Sequence, residues 1–503
     1  MQEETTVLVA GAGPTGLATA CALRAAGLAV RVIDGAPGPS PTSRALGLQP
    51  RGIEVLDRLG ALDDLPVRGV AIGQVVTYVD GKPVARLQVG RRTKLVTRPG
   101  LIISQAEVEA RLRRRFVELG TEVEWRRELT SVRQDADGVN VGFADGRSER
   151  ARWLLGCDGA HSRVRKAAGI GFPGVPVIER FLLADVRARL PLPRDTVCVW
   201  LRGDRMVGVF PLPGDDVWRL MAPAPADSQD DVHPAEVQDV LMEALRAHSG
   251  IAGVAVAESL WTSTFRIHRR LASTYRQGHV LLAGDAAHIH SPFGGQGLNT
   301  GLGDAENLAW KLALVAEGRA AQSLLDTYEA ERRPIAEEVL ASTSAMTRLV
   351  VGDTRIARVL RNHLFVPLMN RPSVQRALWE KSSQLKVTYR RGPLAGRALP
   401  GRGLRVGDRV PDLDCVREDG LRTRLHSELG PAWALLVMAP DAAGHMTVVG
   451  RRLGEGAAVS LTASRLPAPA MLVRPDGHLA WRGSSPADLD LTLTRILERG
   501  GAR

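Results

Sequence analysis

The alternation of apolar and polar positions divides the chain into helical, strand-like and irregular stretches before any single residue is weighed. Residues 6–10 (TVLVA) form a short β-branched apolar run that ends in GAGPTG. Residues 17–27 (LATACALRAAG) follow with helix formers and a closing glycine, and 28–33 (LAVRVI) form a second apolar run ending at Asp34. Strand, glycine turn, helix and strand in that order predict the opening βαβ unit of a dinucleotide-binding fold. A Pro/Gly/Ser loop occupies 35–43, and 50–60 reads as a helix with Pro50 near its start.

Between 176 and 270 the period becomes strand-like. TVCVWL, a turn at Arg202–Gly203–Asp204, RMVGVFPL, a turn at Pro213–Gly214–Asp215, and VWRLMAP predict an antiparallel meander. HVLLAGDAAH then returns to a buried strand running into a helix, so the sheet reads as an insertion within the nucleotide-binding fold. Residues 304–347 are helical, with Pro334 opening the later part, and 390–407 cluster Arg, Gly and Pro as a linker. The last hundred residues return to short strands and helices. The expected division is 1–175 and 271–398 for the nucleotide-binding domain, the second part with a helical region, 176–270 for the sheet domain, and 399–503 for a last domain.

Composition narrows the function classes. At 503 residues, with 52 Gly, 30 Pro and 44% hydrophobic residues, this is a globular chain of two or three domains. The net charge of +11 does not point to nucleic acid: six of the 66 basic residues are Lys, the rest are Arg spread along the whole chain, and runs such as Arg111 to Arg115 fall at helical spacing as a solvated face. No apolar run approaches the roughly 18 residues of a membrane span, and residues 1–5 are acidic and polar, unlike a signal peptide, so a soluble cytoplasmic protein is expected. Cys21, Cys157, Cys198 and Cys415 show no CxxC spacing and no nearby histidine at ligand spacing, and read as free buried thiols.

The candidate chemistry begins at Gly11, Gly13 and Gly16, a G-x-G-x-x-G with Pro14 and Thr15 inside it, placed after a predicted strand and at the mouth of a helix. The first glycine permits the tight turn, the second lets backbone approach a pyrophosphate, and the third lets helix and strand pack closely. Asp34, 18 residues after Gly16, ends the next strand where a carboxylate accepts hydrogen bonds from an adenosine ribose. The motif does not distinguish FAD from NAD. Further on, Asp285 ends a buried strand where a carboxylate can accept polyol hydroxyls, and Gly294, Gly295 and Gly297 let backbone amides come within reach of a flat ring.

Two segments carry a family resemblance: GCDGAHSRVRKAAGI at 156–170 and LLAGDAAHIHSPFGGQGLNTGLGDAENLAWKLA at 281–313. They resemble the single-component FAD-dependent aromatic hydroxylases, the group that includes para-hydroxybenzoate hydroxylase, and most closely its polyketide-tailoring members. The resemblance implies that Asp158 and Gly159 contact the flavin and line the nicotinamide path. It likewise implies that Asp285 bonds the ribityl chain, and that Pro292 and the loop through Gly295, Gln296, Gly297, Leu298 and Asn299 run beside the isoalloxazine. Arg44 in SRALGL and Gln105 in SQAEVEARL match the remaining flavin contacts. The chain departs from the family at Asp34, where Glu is usual, at Ser291, where Pro is usual, and at His279, where Arg is usual. His288 and His290 lack a third ligand, and the family uses no metal. A second G-x-G-x-x-G after a strand is absent, so NADPH or NADH is expected to visit the flavin cleft transiently. Arg163 and Arg165 are candidates to meet its phosphates, a solvated helix face being the alternative.

The resemblance implies FAD as cofactor, NAD(P)H as reductant, O2 as co-substrate, and oxygen transfer through a flavin C4a-hydroperoxide to a bulky polycyclic aromatic of polyketide type. Trp200, Phe210, Trp218, Trp261 and Phe265 are candidates to line the substrate pocket, with packing in the core as the alternative for each, and no residue stands out as a catalytic base. The segment from about 400 to 503 resembles the thioredoxin-like domain of the larger members and lacks CxxC, so packing or assembly is its expected role. The implied fold is α/β: a Rossmann-like FAD-binding domain, an inserted antiparallel-sheet substrate domain and a C-terminal thioredoxin-like domain. Two other activities stay open at this level, Baeyer–Villiger oxygenation of a related ketone and a flavoprotein that binds a reactive intermediate without oxidising it. The expected partner is a small aromatic molecule, with neither nucleic acid nor membrane, and the chain is expected to be a monomer or homodimer.

Overall fold

Val7–Ala10, buried along its whole length, pairs in parallel with Val30–Ile33 on one side and Trp153–Gly156 on the other. A strand buried on both faces must be covered by helices, which is why its sequence reads as an unbroken apolar run. The computed structural model describes residues 5–41, 45–202, 205–225, 233, 235–251, 256–290, 295–351, 368, 370–396, 403–438 and 442–499. The sheet continues with Val280–Leu282 parallel to Trp153–Gly156, and with Val123–Glu124 parallel to Val30–Ile33. Arg276–Gln277 closes the former edge antiparallel. Helices Pro14–Ala25 and Gly297–Ala316 pack on this sheet, and their apolar sides belong to one large core.

An eight-stranded sheet lies beside it, ordered His288–Ile289, Val256–Leu271, Gly174–Ala188, Val217–Pro223, Arg205–Pro211, Thr196–Arg202, Gln74–Val79 and Lys82–Gln88. The meander read from the sequence is present, with Thr196–Arg202, Arg205–Pro211 and Val217–Pro223 pairing antiparallel in succession. The sheet also takes Gln74–Val79, parallel to Thr196–Arg202, and Lys82–Gln88, both from the segment read as part of the first domain. Helix Val237–Ser249 covers one face through Val237, Leu241, Met242 and Leu245.

The C-terminal unit is a mixed six-stranded sheet in which Trp433–Val437 and Ala458–Thr462 pair in parallel and the other neighbours antiparallel. It shares the large core rather than hanging from a tether: Leu435, Leu472 and Trp481 join that core, and Trp433 meets the Trp310 ring edge-on at 5.2 Å. Buried ion pairs cross the same boundary. Arg409 crosses to Glu54 and Arg474 to Glu331 at 2.8 Å, while Lys311 at 2.8 Å shares Glu331, and Arg51 and Arg58 share Glu306, on the nucleotide-binding side. Among the described residues no helix is long and apolar enough to cross a membrane.

These buried charges set an acid limit. Burial raises the carboxyls of Asp304 and Glu331, but the groups beside them outweigh it, His288 and Arg332 at Asp304, Arg474 and Lys311 at Glu331. Both are held at about 2 in the folded chain, against ordinary values of 3.8 and 4.5. A carboxyl with a depressed folded pKa contributes stability that is complete above its unfolded value and is lost as pH falls through the folded one. Each contributes on the order of 2–4 kcal/mol at neutral pH. Urea midpoints should therefore hold down to about pH 4.5 and fall steeply toward pH 2, and Glu331→Gln should flatten that fall; equal midpoints at the two ends would exclude the buried ion pairs as its source.

Candidate functional site

The C-terminal ends of the parallel strands meet the mouths of two helices. Gly11 follows Val7–Ala10 at φ +105°, and a Cβ there would lie 2.6 Å from the Cys157 carbonyl carbon and 2.8 Å from the Asp158 nitrogen. A Cβ on Gly16 would overlap the Gly11 carbonyl oxygen, so this glycine allows the helix to close on the strand. A Cβ on Gly13, by contrast, would meet nothing within 4 Å. That opening lies at the start of Pro14–Ala25, whose first turn has no side-chain cap. Thr15 seats the helix against its neighbours: its Oγ1 lies 2.6 Å from where a Cβ of Gly284 would be and also occupies the space of one at Gly301.

Asp34 does more than offer an acceptor. Its Oδ2 accepts from the Ala12 N–H and its Oδ1 from the Ala36 N–H, both at 2.8 Å, so it first fixes the glycine turn and the loop after its own strand. Each oxygen keeps a further lone pair for a ligand hydroxyl. Gln105 sits at the start of Gln105–Glu118 and donates to Glu109 at 2.8 Å. Glu109 is a residue that sequence reasoning passed over. Burial raises its carboxyl, and the charge of Asp34 pushes the same way.

Asp158 is occupied by its own loop. Its Oδ1 accepts from Ser162 Oγ at 2.5 Å and its Oδ2 from the Arg163 and Val164 N–H groups at 2.7 and 3.1 Å. It therefore shapes the turn, while Gly159, at φ +75° with nothing within 4 Å of a Cβ, leaves the backbone open there. Arg165 is buried, donates to the carbonyls of Ala286 and Ala160 at 2.9 and 3.1 Å, and stacks over Phe172 at 3.8 Å, which corrects its reading as a phosphate contact. Arg163 pairs with Glu128 at the surface.

The second half of the cleft is the turn Gly284–Ala286. Asp285 presents an exposed side chain with no hydrogen-bond partner among the described residues, in a recess so surrounded by protein that burial pushes its carboxyl up. Below it Asp304 accepts from the Gly284 N–H at 3.1 Å and bonds His288 Nε2 at 2.6 Å, so His288 belongs to a buried hydrogen-bonded pair and no metal-ligand cluster occurs among the described residues. Both His290 ring nitrogens are buried with no partner among the described residues, and burial lowers its pKa. Asn299 anchors the glycine loop: it accepts from the Gln49 N–H at 2.8 Å and donates to the carbonyls of Gly47 and Gly295 at 2.9 and 2.8 Å. Gln296 Oε1 accepts from Gln384 at 2.9 Å, and Gly297–Ala316 starts here without a side-chain cap, leaving Gly297 and Leu298 at an open helix mouth. Arg44 and Pro292 lie outside the described residues.

The aromatic candidates divide by face. Trp200 and Trp218 pack under Val237–Ser249 in the core. Phe210, Trp261 and Phe265 lie on the other face. There Phe210, Arg219, Asp185 and Trp261 stand side by side across four strands, with Arg219 Nε 2.6 Å from Asp185 Oδ1. Phe210 and Leu46 both pack on the cluster of Ile102, Val197, Leu212 and Val217, and Leu46 precedes the Gly47 whose carbonyl, like that of Gly295, accepts from Asn299.

Two open helix mouths, bare glycine backbone and a carboxylate without a partner fit a dinucleotide with a polyol chain, the shape of FAD. The comparisons agree. The FAD binding domain family model matches residues 4–343, and that of the aromatic-ring hydroxylase C-terminal domain matches 404–500. A rifampicin monooxygenase of Streptomyces venezuelae is 37% identical over 494 residues, covering 97% of each chain. The dialkyldecalin synthase of Streptomyces rugosporus is 33% identical, covering 95% of this chain and 96% of that one. The solved ternary complex of aklavinone-11 hydroxylase with FAD and aklavinone matches with a TM-score of 0.79 at 26% identity, covering 99% of this chain and 100% of that one. Fold and cleft define a flavoprotein oxygenase. The chain belongs to the FAD-dependent aromatic-ring hydroxylase family and is an FAD-dependent monooxygenase.

Proposed function

We propose that this monooxygenase consumes NADPH or NADH and hydroxylates a bulky polycyclic aromatic of polyketide type. The observation that carries the reading is Asp285, a carboxylate with no hydrogen-bond partner among the described residues, set by the mouths of Pro14–Ala25 and Gly297–Ala316. In this reading Gly13, Pro14 and Thr15 lie along the pyrophosphate, and Asp34 and Gln105 meet the adenosine end with Arg44 beside them. Asp285 holds the ribityl chain, and Pro292 with Gly295 to Asn299 borders the ring. In the same reading 1–175, apart from Gln74–Val79 and Lys82–Gln88, forms the Rossmann-like domain with 271–398, those two strands join the sheet of 176–270 over the substrate, and 399–503 is the thioredoxin-like domain.

When bound, FAD supplies acceptance of hydride from the nicotinamide and activation of O2 for transfer of one oxygen atom. The chain's own part is placement and dryness. Phe210, Trp261 and Phe265 offer flat apolar surface for a fused-ring substrate, and the apolar sheet keeps water from the reacting atoms. Arg219 engages both oxygens of Asp185, and in this reading ring activation draws on the acidity of the substrate's own phenol. Rifampicin and aklavinone, named for two relatives, set the scale of such a substrate.

Likeness to dialkyldecalin synthase favours one second reading, a flavoprotein that binds a reactive intermediate without oxidising it. Following NADPH and NADH oxidation in the FAD-loaded protein, with and without polycyclic phenols, separates the two. Monooxygenation predicts substrate-stimulated oxidation and a product heavier by one oxygen atom drawn from labelled O2. Bound FAD without any stimulation across the panel would move the assignment to the binding role.

A further inference from the structure

An unbroken line of buried contacts runs from the C-terminal unit to the turn that carries Asp285. Arg474 and His478 stand at the end of its Ala470–Val473 and Leu479–Gly483 hairpin. The His478 ring packs on Tyr389 with centroids 4.2 Å apart, and the Arg474 guanidinium lies 5.1 Å from the same ring. The backbone of Tyr389 is held as well, its N–H donating to Gly407 at 2.7 Å. From there Arg332 Nη1 donates to the Tyr389 hydroxyl at 3.1 Å, Arg332 Nε to Asp304 Oδ1 at 2.8 Å, and Arg332 Nη2 to the Thr300 carbonyl at 2.9 Å. Asp304 closes the line by accepting from the N–H of Gly284, the residue before Asp285.

We propose that Tyr389 is a positioning residue of the flavin site, through which the C-terminal unit fixes the height and angle of the Asp285 turn. The proposal rests on reading Asp285 as the ribityl acceptor. A guanidinium with three of its donors fixed in three directions has one orientation. Without the Tyr389 hydroxyl a buried N–H loses its acceptor, and Arg332 must move to recover one, carrying Asp304 with it. Gly284, at φ +62° with a Thr15 hydroxyl where a Cβ would be, has little room to absorb that movement, so it passes to Asp285. Burial keeps the Tyr389 hydroxyl protonated, its pKa pushed up to about 12, so the contact does not change across working pH.

The test is a double-mutant cycle on FAD affinity, measured by titrating FAD into the full-length apoprotein and following flavin fluorescence. Tyr389→Phe should weaken FAD binding about tenfold, the scale of one hydrogen bond to a charged group. Asp285→Asn should weaken it on its own, and the double variant should bind no more weakly than Asp285→Asn, because Tyr389 acts through that turn. Arg332→Lys, which keeps the charge beside Asp304 but cannot also span to Tyr389, should show the same non-additivity. Losses that multiply in the double variants would mean a general loosening and overturn the proposal, as would unchanged binding by Tyr389→Phe. A wild-type protein that binds no FAD would instead overturn the flavin reading of the cleft.

Discussion

A Gly11→Ala variant is expected to be purified without bound FAD and to show no substrate-stimulated oxidation of NADPH or NADH. The backbone at Gly11 has φ +105°, a conformation that costs an L-residue about 1–2 kcal/mol. The added methyl would also sit 2.6 Å from the Cys157 carbonyl carbon and 2.8 Å from the Asp158 nitrogen, both backbone atoms that cannot swing aside. Overpacking of that kind costs a further 1–3 kcal/mol or so. Together these give roughly 2–5 kcal/mol, about thirtyfold in FAD affinity at the low end. Gly13→Ala isolates the ligand's share of the effect. A Cβ there meets no protein atom within 4 Å, so apoprotein melting should stay at the wild-type value while FAD binding weakens through crowding of the pyrophosphate. FAD titrations and melting curves of the two apoproteins check this directly. A Gly13→Ala protein that binds FAD as tightly as wild type would remove the pyrophosphate from this turn.

The opening turn was legible in the sequence because everything that specifies it is local. Gly11, Gly13, Gly16 and Asp34 lie within one βαβ unit, and their spacing encodes sterics that hold wherever the unit occurs. The meander was legible for a similar reason, since alternation and turn residues act over a few positions. Pairing across long separations left no such mark. Nothing in Gln74–Val79 announces that it will run parallel to Thr196–Arg202, because a half-buried strand carries no label for its partner. The aromatic candidates show the same limit. Alternation places Trp218 and Arg219 on opposite faces, but which face is closed depends on where Val237–Ser249 comes to rest, and that helix was not placed from the sequence.

Roles were harder to read than positions. Asp34 was expected to serve the ribose, and the structure shows both of its oxygens engaged first by backbone N–H groups. Asp158 likewise spends its carboxylate on the loop that it opens. In each case the residue type and spacing were informative, yet a carboxylate can be shared between fold and ligand, and one sequence does not say in what proportion. Arg165, Asp304, Glu331 and Arg474 were invisible as buried groups, because a charged side chain is most often solvated and only the assembled partners make its burial tolerable.

Those partners define the remaining large effect. Arg474→Met is expected to destabilise the protein by about 3–5 kcal/mol, because it strands carboxylates where water cannot reach. Arg474 donates to Glu331 Oε1 at 2.8 Å and also pairs with Asp476, and both acids are completely buried. Lys311 cannot take over, since it already donates to Glu331 and burial lowers its own pKa to about 8. Adding Asp476→Asn to Arg474→Met should recover part of the loss, because one stranded charge is then removed. The comparison to make is the urea midpoint of wild type, each single variant and the double variant, all at neutral pH and saturating FAD so that cofactor loss does not contribute. Recovery in the double variant would show that electrostatic desolvation, and not simple loss of packing around the Trp310 and Tyr389 rings, makes the joint with the C-terminal unit intolerant of change. A double variant weaker than Arg474→Met alone would sink that explanation and place the cost in the packing of the Arg474 side chain.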